Sequence, residues 1–431
     1  MASIAVIGGG PMGLAATYRL LQNGHEVDLY EADTVLGGMS ASIDFDGLQI
    51  ERFYHFICRG DEDYFRLLEE LGIDKELRWV ETYMGYFHGG EQKDWGDPFS
   101  LLRFSGLDLV SKIRYGLMAF YSTVRRDWKK LDRVDAVSWL RKWVGQRAYD
   151  ELWRQLLELK FHHYTDNLSA AWIWARMRRV GTSRKNLLQE QLGYLQGGSQ
   201  LFIDTIAAAI EAQGGRIHLG CPVDEVVIEA GRATGLRCQS EHSHFDGIIS
   251  TIPLPYVPQM IPALAPEVLA AYRALENIAV VCALVKLSRP LSKYFWMNIS
   301  DPAVPIPGVI EYSNLCPLAQ PVLYVPYYLP ADHPDYQQDN AWFAERTRAC
   351  LKQLNPQLTD EEILTVRVGR YRYAQPICPP EFLQGLPPIQ PGVAALWVAD
   401  TSFYYPEDRS ISESVKLGAK LGTLLEQGLD H

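Results

Sequence analysis

Cysteine is scarce in this chain of 431 residues. The seven present, Cys58, Cys221, Cys238, Cys282, Cys316, Cys350 and Cys378, are odd in number, scattered and never in C-x-x-C spacing. A disulfide framework and a structural zinc site are therefore not expected, and a reducing cytoplasm fits. Positive charge is also short: 41 Lys and Arg face 52 Asp and Glu, a net charge of −11. That balance argues against nucleic-acid partners, whose binders show a basic balance or patch. No run approaches about 18 consecutive apolar residues, so no membrane-spanning helix is expected. A secretory leader would need a charged segment, an apolar core and a cleavage site. Met1 leads instead into Ile4-Ala5-Val6-Ile7 and a run of glycines. Internal repeats and low-complexity tracts are lacking as well. What remains is 47% hydrophobic and 22% charged, a globular balance. At roughly 150 residues per domain, the length suits two or three.

The opening residues carry the strongest local signal. Gly8-Gly9-Gly10-Pro11-Met12-Gly13 fits G-x-G-x-x-G between a strand and a helix expected over about Pro11–Asn23, with a second strand over His25–Tyr30. Gly8 permits a tight turn, Gly10 lets a pyrophosphate approach the helix N-terminus, and Gly13 lets helix and strand pack closely. Glu31, ending the second strand, can accept hydrogen bonds from ribose hydroxyls. The fingerprint alone does not separate NAD from FAD. Two features favour FAD: a second glycine turn, Gly37-Gly38, and a C-terminal strand, Asp400, loop and helix. Ser410-Ile411-Ser412-Glu413 reads as a capping box, and the positive end of its helix would favour a reduced flavin's anionic edge.

Between these pieces the chain changes style. Residues 59–190 read as a helical cap, with amphipathic patterns over Asp61–Leu71, Gly106–Leu131 and Asp135–Lys160 and a concentration of tryptophan. At Gly193 the α/β style returns, and residues 273–385 hold strand-like stretches interrupted by one helix, Asn340–Leu354. The expected architecture is α/β: a Rossmann-type FAD-binding domain in three parts (1–58, 191–272, 386–431), interleaved with an α+β substrate domain made of the helical cap and an antiparallel sheet.

Several stretches together resemble the flavin amine oxidase superfamily, on its protoporphyrinogen oxidase and phytoene desaturase side, with distant similarity to UDP-galactopyranose mutases. They are Val6 to Ala16, Tyr30-Glu31-Ala32 with Gly37-Gly38-Met39-Ser40, Gly193 to Gly198, Pro222 to Val226, and Val398-Ala399-Asp400 ahead of Tyr405 to Arg409. The resemblance implies extended FAD contacted by Gly8, Gly10, Pro11, Met12, Gly13, Glu31, Ala32, Gly37, Gly38, Met39 and Ile411. It further implies that the Val223 backbone meets adenine and that Asp400 meets the ribitol. Two departures stand out. The arginine frequent beside the second glycine pair is replaced by Val35, Leu36 and Met39, and the late Ala-Gly-Asp signature lacks its glycine.

On the substrate side the resemblance makes His55 a candidate at the flavin ring; a half-buried structural histidine is the alternative. Arg370 and Arg372 alternate with Tyr371 and Tyr373 on a strand, so each pair shares a face. Tyr405, soon after Asp400, is a candidate aromatic at the ring. Cys58 reads as packing, and adjacent His162 and His163 do not suggest a metal site. The activity implied is FAD-dependent oxidation of a largely apolar or lipid-linked small molecule. A mutase-like isomerase and a non-catalytic lipid carrier of the GDP-dissociation-inhibitor type are the rivals. Segment Leu101–Lys130 mixes apolar residues with Lys112, Arg114, Arg125, Arg126, Lys129 and Lys130. It reads either as an amphipathic face for an anionic membrane or as packing within the cap. Oligomeric state is not legible.

Overall fold

The computed structural model describes residues 1–186, 188–239 and 241–429. A five-stranded parallel sheet is assembled from distant parts of the chain, in the order Arg216–His218, Glu26–Tyr30, Ser3–Ile7, Gly247–Ser250, Leu396–Val398. Its central strands read as near-continuous apolar runs because both faces are covered, one by helices and the other by the strands Val223–Glu229 and Arg232–Cys238 with the short helices Val257–Met260 and Pro266–Arg273. Ile4, Ala5 and Val6 are fully buried, as are Ile248 and Ile249. The helix Pro11–Gln22 starts with proline at its first position, where no N–H is missed.

The second layer is a seven-stranded sheet ordered Ile363–Pro376, Asn277–Leu287, Val322–Leu329, Gly308–Glu311, Trp296–Ile299, Met84–His88, Glu91–Trp95. All neighbours are antiparallel except Met84–His88, which runs parallel to Trp296–Ile299. The stretch 59–190, expected as a helical cap, is mostly helical but also holds strands. It supplies Leu77–Thr82, which pairs with Gln189–Leu195. The Met84–Trp95 hairpin turns at Gly89-Gly90, both with positive φ, as its two-residue turn demands.

The helices of this region are broken where sequence reading ran them on. Gly106–Leu131 resolves into Leu109–Val124, capped by Asp108 accepting from the Ser111 N–H at 2.9 Å, and a short turn Lys129–Asp132. Asp135–Lys160 resolves into Ala136–Tyr149, interrupted at Gly145 (φ 82°), then a π-helical turn and Gln155–Phe161. Trp139, Trp172 and Trp174 are buried in the core beneath them.

A second correction concerns cysteine. Cys221 and Cys238, which flank one hairpin, form a disulfide with their Cα atoms 6.3 Å apart. The antiparallel pairing of Val223–Glu229 with Arg232–Cys238 sets Val223 opposite Cys238 and brings Cys221 alongside.

Candidate functional site

The carboxyl ends of the parallel strands converge on one cavity, the place where open α/β sheets bind ligands. Its volume is about 510 Å³, within the span of roughly 300–1,000 Å³ usual for ligand pockets. Gly8, Gly10, Pro11 and Met12 line it after the first strand. Glu31 and Ala32 follow the second strand, Thr251 and Pro253 the fourth, and Asp400 the last. Gly38, Met39 and Ile411 complete this half.

The residues here fit an extended dinucleotide. The helix Pro11–Gln22 begins with no side-chain cap, and its first residues, Pro11 and Met12, line the cavity, the arrangement in which a helix N-terminus receives an anion. A Cβ on Gly10 would have nothing within 4 Å, and one on Gly38 would sit 3.5 Å from the Gly10 Cα. The two glycine turns thus form a backbone cradle with room for a pyrophosphate. Glu31 Oε2 accepts from the Gly9 N–H at 2.6 Å and Oε1 from the Asp33 N–H at 2.8 Å, which fixes its carboxylate at the cavity edge. Asp400 accepts from the Leu254 N–H at 2.9 Å and the Ser402 N–H at 2.8 Å, and burial pushes its carboxyl above the usual range. Ser410 Oγ accepts from the Glu413 N–H at 3.1 Å, starting the helix Ile411–Leu429.

The same cavity continues into an aromatic chamber against the antiparallel sheet. Phe53, Tyr54, Trp296, Tyr312, Tyr328 and Tyr371 form its walls. Tyr54 meets Trp296 edge-on at 5.5 Å between ring centroids, and Phe53 meets Tyr371 at 6.3 Å. His55 lies between the halves. Its Nε2 is 3.3 Å from Ser40 Oγ, and its Nδ1 is buried without a partner.

Not every expected residue lies here. Gly13 and Gly37 pack behind the cradle. A Cβ on Gly13 would fall 1.9 Å from the Gly8 carbonyl oxygen, and one on Gly37 would fall 2.5 Å from Ile203. Val223 begins its hairpin strand and is not among the residues that line the cavity. Arg372 is exposed, its guanidinium 5.5 Å from the Tyr373 ring. Arg370 reaches the cavity edge but donates to the Tyr336 carbonyl at 2.6 Å and to the Gln338 carbonyl. The tyrosine face of the strand, Tyr371 and Tyr373, points inward instead. Tyr405 is also corrected: its hydroxyl donates to Asp132 and lies 2.6 Å from Ser169 Oγ, in the core, while Tyr404 lines the cavity. Cys58 is buried and its thiol pushed up to about 11 by desolvation, so it is no nucleophile.

Sequence reasoning missed two features. Glu51 is buried at the cavity, with Oε1 accepting from the Ser199 N–H at 2.8 Å and hydroxyl at 2.6 Å. The only sequence signal was an acid closing the short strand Leu48–Glu51. Arg176, Arg179, Asp61 and Asp408 also meet at the cavity, a set no local motif announces.

Two expected outcomes follow from this geometry. Glu31→Ala removes a charged acceptor worth on the order of 1.5–3 kcal/mol. Dinucleotide affinity should fall roughly ten- to a hundredfold, read by equilibrium titration; an unchanged affinity would place the ribose elsewhere. For His55, burial lowers the imidazole from its ordinary 6.5. The folded state then binds fewer protons than the unfolded one, so stability is lost as pH falls from 6.5 towards the lowered native value. His55→Gln should flatten the dependence of Tm on pH in that window, and equal slopes in both proteins would refute the assignment.

A family model described as flavin-containing amine oxidoreductase matches residues 13–377. The chain is 26% identical over 292 residues to the zeta-carotene desaturase of Solanum lycopersicum, covering 60% of this chain and 49% of that one. It spans about half the length of the curated relatives it matches. An oxidoreductase from Methanosarcina mazei shares the fold over 98% of this chain and 100% of its own, at TM-score 0.75 and 19% identity. A reduced UDP-galactopyranose mutase does so over 99% and 94%, at 0.76 and 16%. With the glycine cradle, the strand-end carboxylates and a family match running from Gly13 to Ile377, the chain belongs to the flavin-containing amine oxidoreductases.

Proposed function

We propose that the protein is an FAD-dependent oxidoreductase that takes a hydride from a largely apolar organic substrate. One observation carries this reading: a single cavity runs from the Gly8–Gly10 cradle into the aromatic chamber, so a cofactor and a substrate share one space. Gly10, Gly38 and the helix Pro11–Gln22 would hold the pyrophosphate, Glu31 a ribose, and Asp400 with the Ile411–Leu429 helix start the flavin side. When bound there, FAD supplies the hydride acceptor, whose electrons pass on to O₂ or another oxidant. The chain's own part is to orient the substrate between Tyr54, Trp296 and Tyr371 and to exclude water, which hydride transfer needs more than a strong base. Anaerobic mixing with candidate apolar C–H/N–H or C–H/C–H donors tests it. Loss of the oxidised-flavin absorbance with formation of oxidised product is expected; activity only after reduction, with no net oxidation, would favour an isomerase.

The substrate's apolar nature connects to the surface. Among the described residues no helix is long and apolar enough to cross a membrane. Yet the helix Leu109–Val124 is inverted relative to an ordinary surface helix. It buries Ser111, Met118 and Ser122 and exposes Leu109, Val110, Ile113, Leu117, Phe120 and Val124, each more than half accessible. Phe99 and Leu102 of the preceding helix Pro98–Arg103 extend the patch. Packing within the cap accounts for the buried Phe104, Leu107 and Met118 and the partly buried Leu101, Tyr115 and Tyr121, but not for this exposed row. Arg103, Arg126, Lys129 and Lys130 are exposed around it, in a protein of net charge −11. An anionic lipid surface is the occupant whose charge and apolarity match.

A further inference from the structure

Between the cofactor half of the cavity and the cap stands a charged wall that hydride transfer from an apolar substrate does not use. Arg176 and Arg179 come from the cap helix Ala170–Thr182, and Arg409 from the residue just before Ser410. Arg176 Nη1 is 2.7 Å from Asp408 Oδ2, and Arg179 Nη2 lies 3.1 and 3.3 Å from the Asp61 oxygens. Arg409 donates to the Ala374 carbonyl and, at 3.2 Å, to Gln375 Oε1. All five charged groups line the cavity. The three guanidiniums face Asp61 and Asp408, and the buried Glu51 carboxylate lines the same cavity.

The wall holds hydrogen-bonding groups that the protein leaves unmet. The Nε groups of Arg179 and Arg409 are buried with no acceptor, although a buried donor on a charged group is costly to leave unpaired. Asp408 Oδ1 and Glu51 Oε2 are buried without a donor. Lys160 lies behind, its Nζ 4.8 Å from the Tyr328 ring centroid and 5.2 Å from that of Trp172. These cations together hold the Asp408 carboxyl down at about 2. Two buried guanidinium N–H groups left without acceptors call for an acceptor on the ligand, and guanidinium forks match oxyanions in shape.

We propose that this wall binds an oxyanion, a carboxylate or a phosphate ester, at one end of an otherwise apolar substrate. The cap helix that presents Arg176 and Arg179 packs its other side on the exposed apolar helix, with Trp174 Nε1 donating to the Ser122 carbonyl at 3.0 Å. An amphiphile leaving an anionic surface would thus meet aromatic walls for its chain and arginines for its head. The proposal rests on the cavity being the shared cofactor and substrate space.

Titration of the FAD-loaded protein with octanoate, octyl phosphate and 1-octanol, read by tryptophan fluorescence and by the flavin absorbance, tests it. One of the two anions should bind roughly ten- to a hundredfold tighter than the alcohol, and which one it is assigns the head group. Arg176→Gln should remove that preference and leave octanol binding in place. Asp408→Asn, which deletes the competing carboxylate at constant shape, should widen the preference in favour of the anion. The second variant also answers the question if the first does not fold. Equal binding of all three probes overturns the inference, as do variants that shift octanol as much as the anions. Protein that carries no FAD counts against the oxidoreductase reading, whereas FAD-loaded protein without anion preference counts against the charged wall alone.

Discussion

Gly13→Ala should give a protein that neither retains FAD nor reaches wild-type stability. The new Cβ would lie 1.9 Å from the Gly8 carbonyl oxygen and 3.1 Å from Thr251 Oγ1. Neither neighbour can yield, since Thr251 Oγ1 donates to the Ile7 carbonyl at 2.9 Å and locks the turn. The helix Pro11–Gln22 would have to lift off the sheet, at a cost of at least about 3 kcal/mol, the upper end for overpacked sites. Gly10→Ala makes the instructive contrast. Its Cβ meets nothing within 4 Å and the residue has an ordinary extended backbone, φ −74°. That variant should fold with a normal Tm and fail to hold FAD, because the methyl group occupies the pyrophosphate's space. Thermal melts with flavin content measured on each variant separate the two roles. Identical behaviour of the two variants would show that the turn is not built as described.

Replacing Ile113 and Leu117 together by aspartate should abolish binding to anionic vesicles. Each apolar side chain that leaves water contributes about 1.5–3 kcal/mol, so two losses weaken binding roughly a hundred- to ten-thousandfold. Tm should not fall, because both residues are more than half exposed. Charge reversal at Arg103, Arg126, Lys129 and Lys130 should also weaken binding, by about 1 kcal/mol per cation, and added salt should act in the same direction. Co-sedimentation with phosphatidylglycerol-rich vesicles measures all three effects. Wild-type protein that stays in the supernatant at low salt would end the membrane assignment.

The cofactor half of the site was legible because its determinants are local. The strand, the glycine turn, the helix and Glu31 lie within one short βαβ stretch, so spacing alone predicts their arrangement. The substrate half depends on contacts that spacing does not encode. Tyr405 follows Asp400 closely, yet Asp132 and Ser169 draw its hydroxyl into the core. The alternation of Arg370 to Tyr373 fixes which residues share a face but not which face is turned inward, and the tyrosines line the cavity. Cys221 and Cys238 are 17 residues apart, and only the hairpin register brings them together. The hairpin at Gly89-Gly90 did carry a turn signal, but Glu91-Gln92-Lys93-Asp94 lacks the apolar alternation that marks a strand. The charged wall joins residues 61, 176, 179, 408 and 409, a set that exists only once the cap is folded onto the sheet.

The identity of the released cofactor tests the central claim most directly. Denaturation of the purified protein followed by chromatography should yield FAD at about one per chain, from a protein that is yellow before it is unfolded. Recovery of NAD, or of no nucleotide together with failure to take up FAD on reconstitution, would contradict the assignment of the cavity.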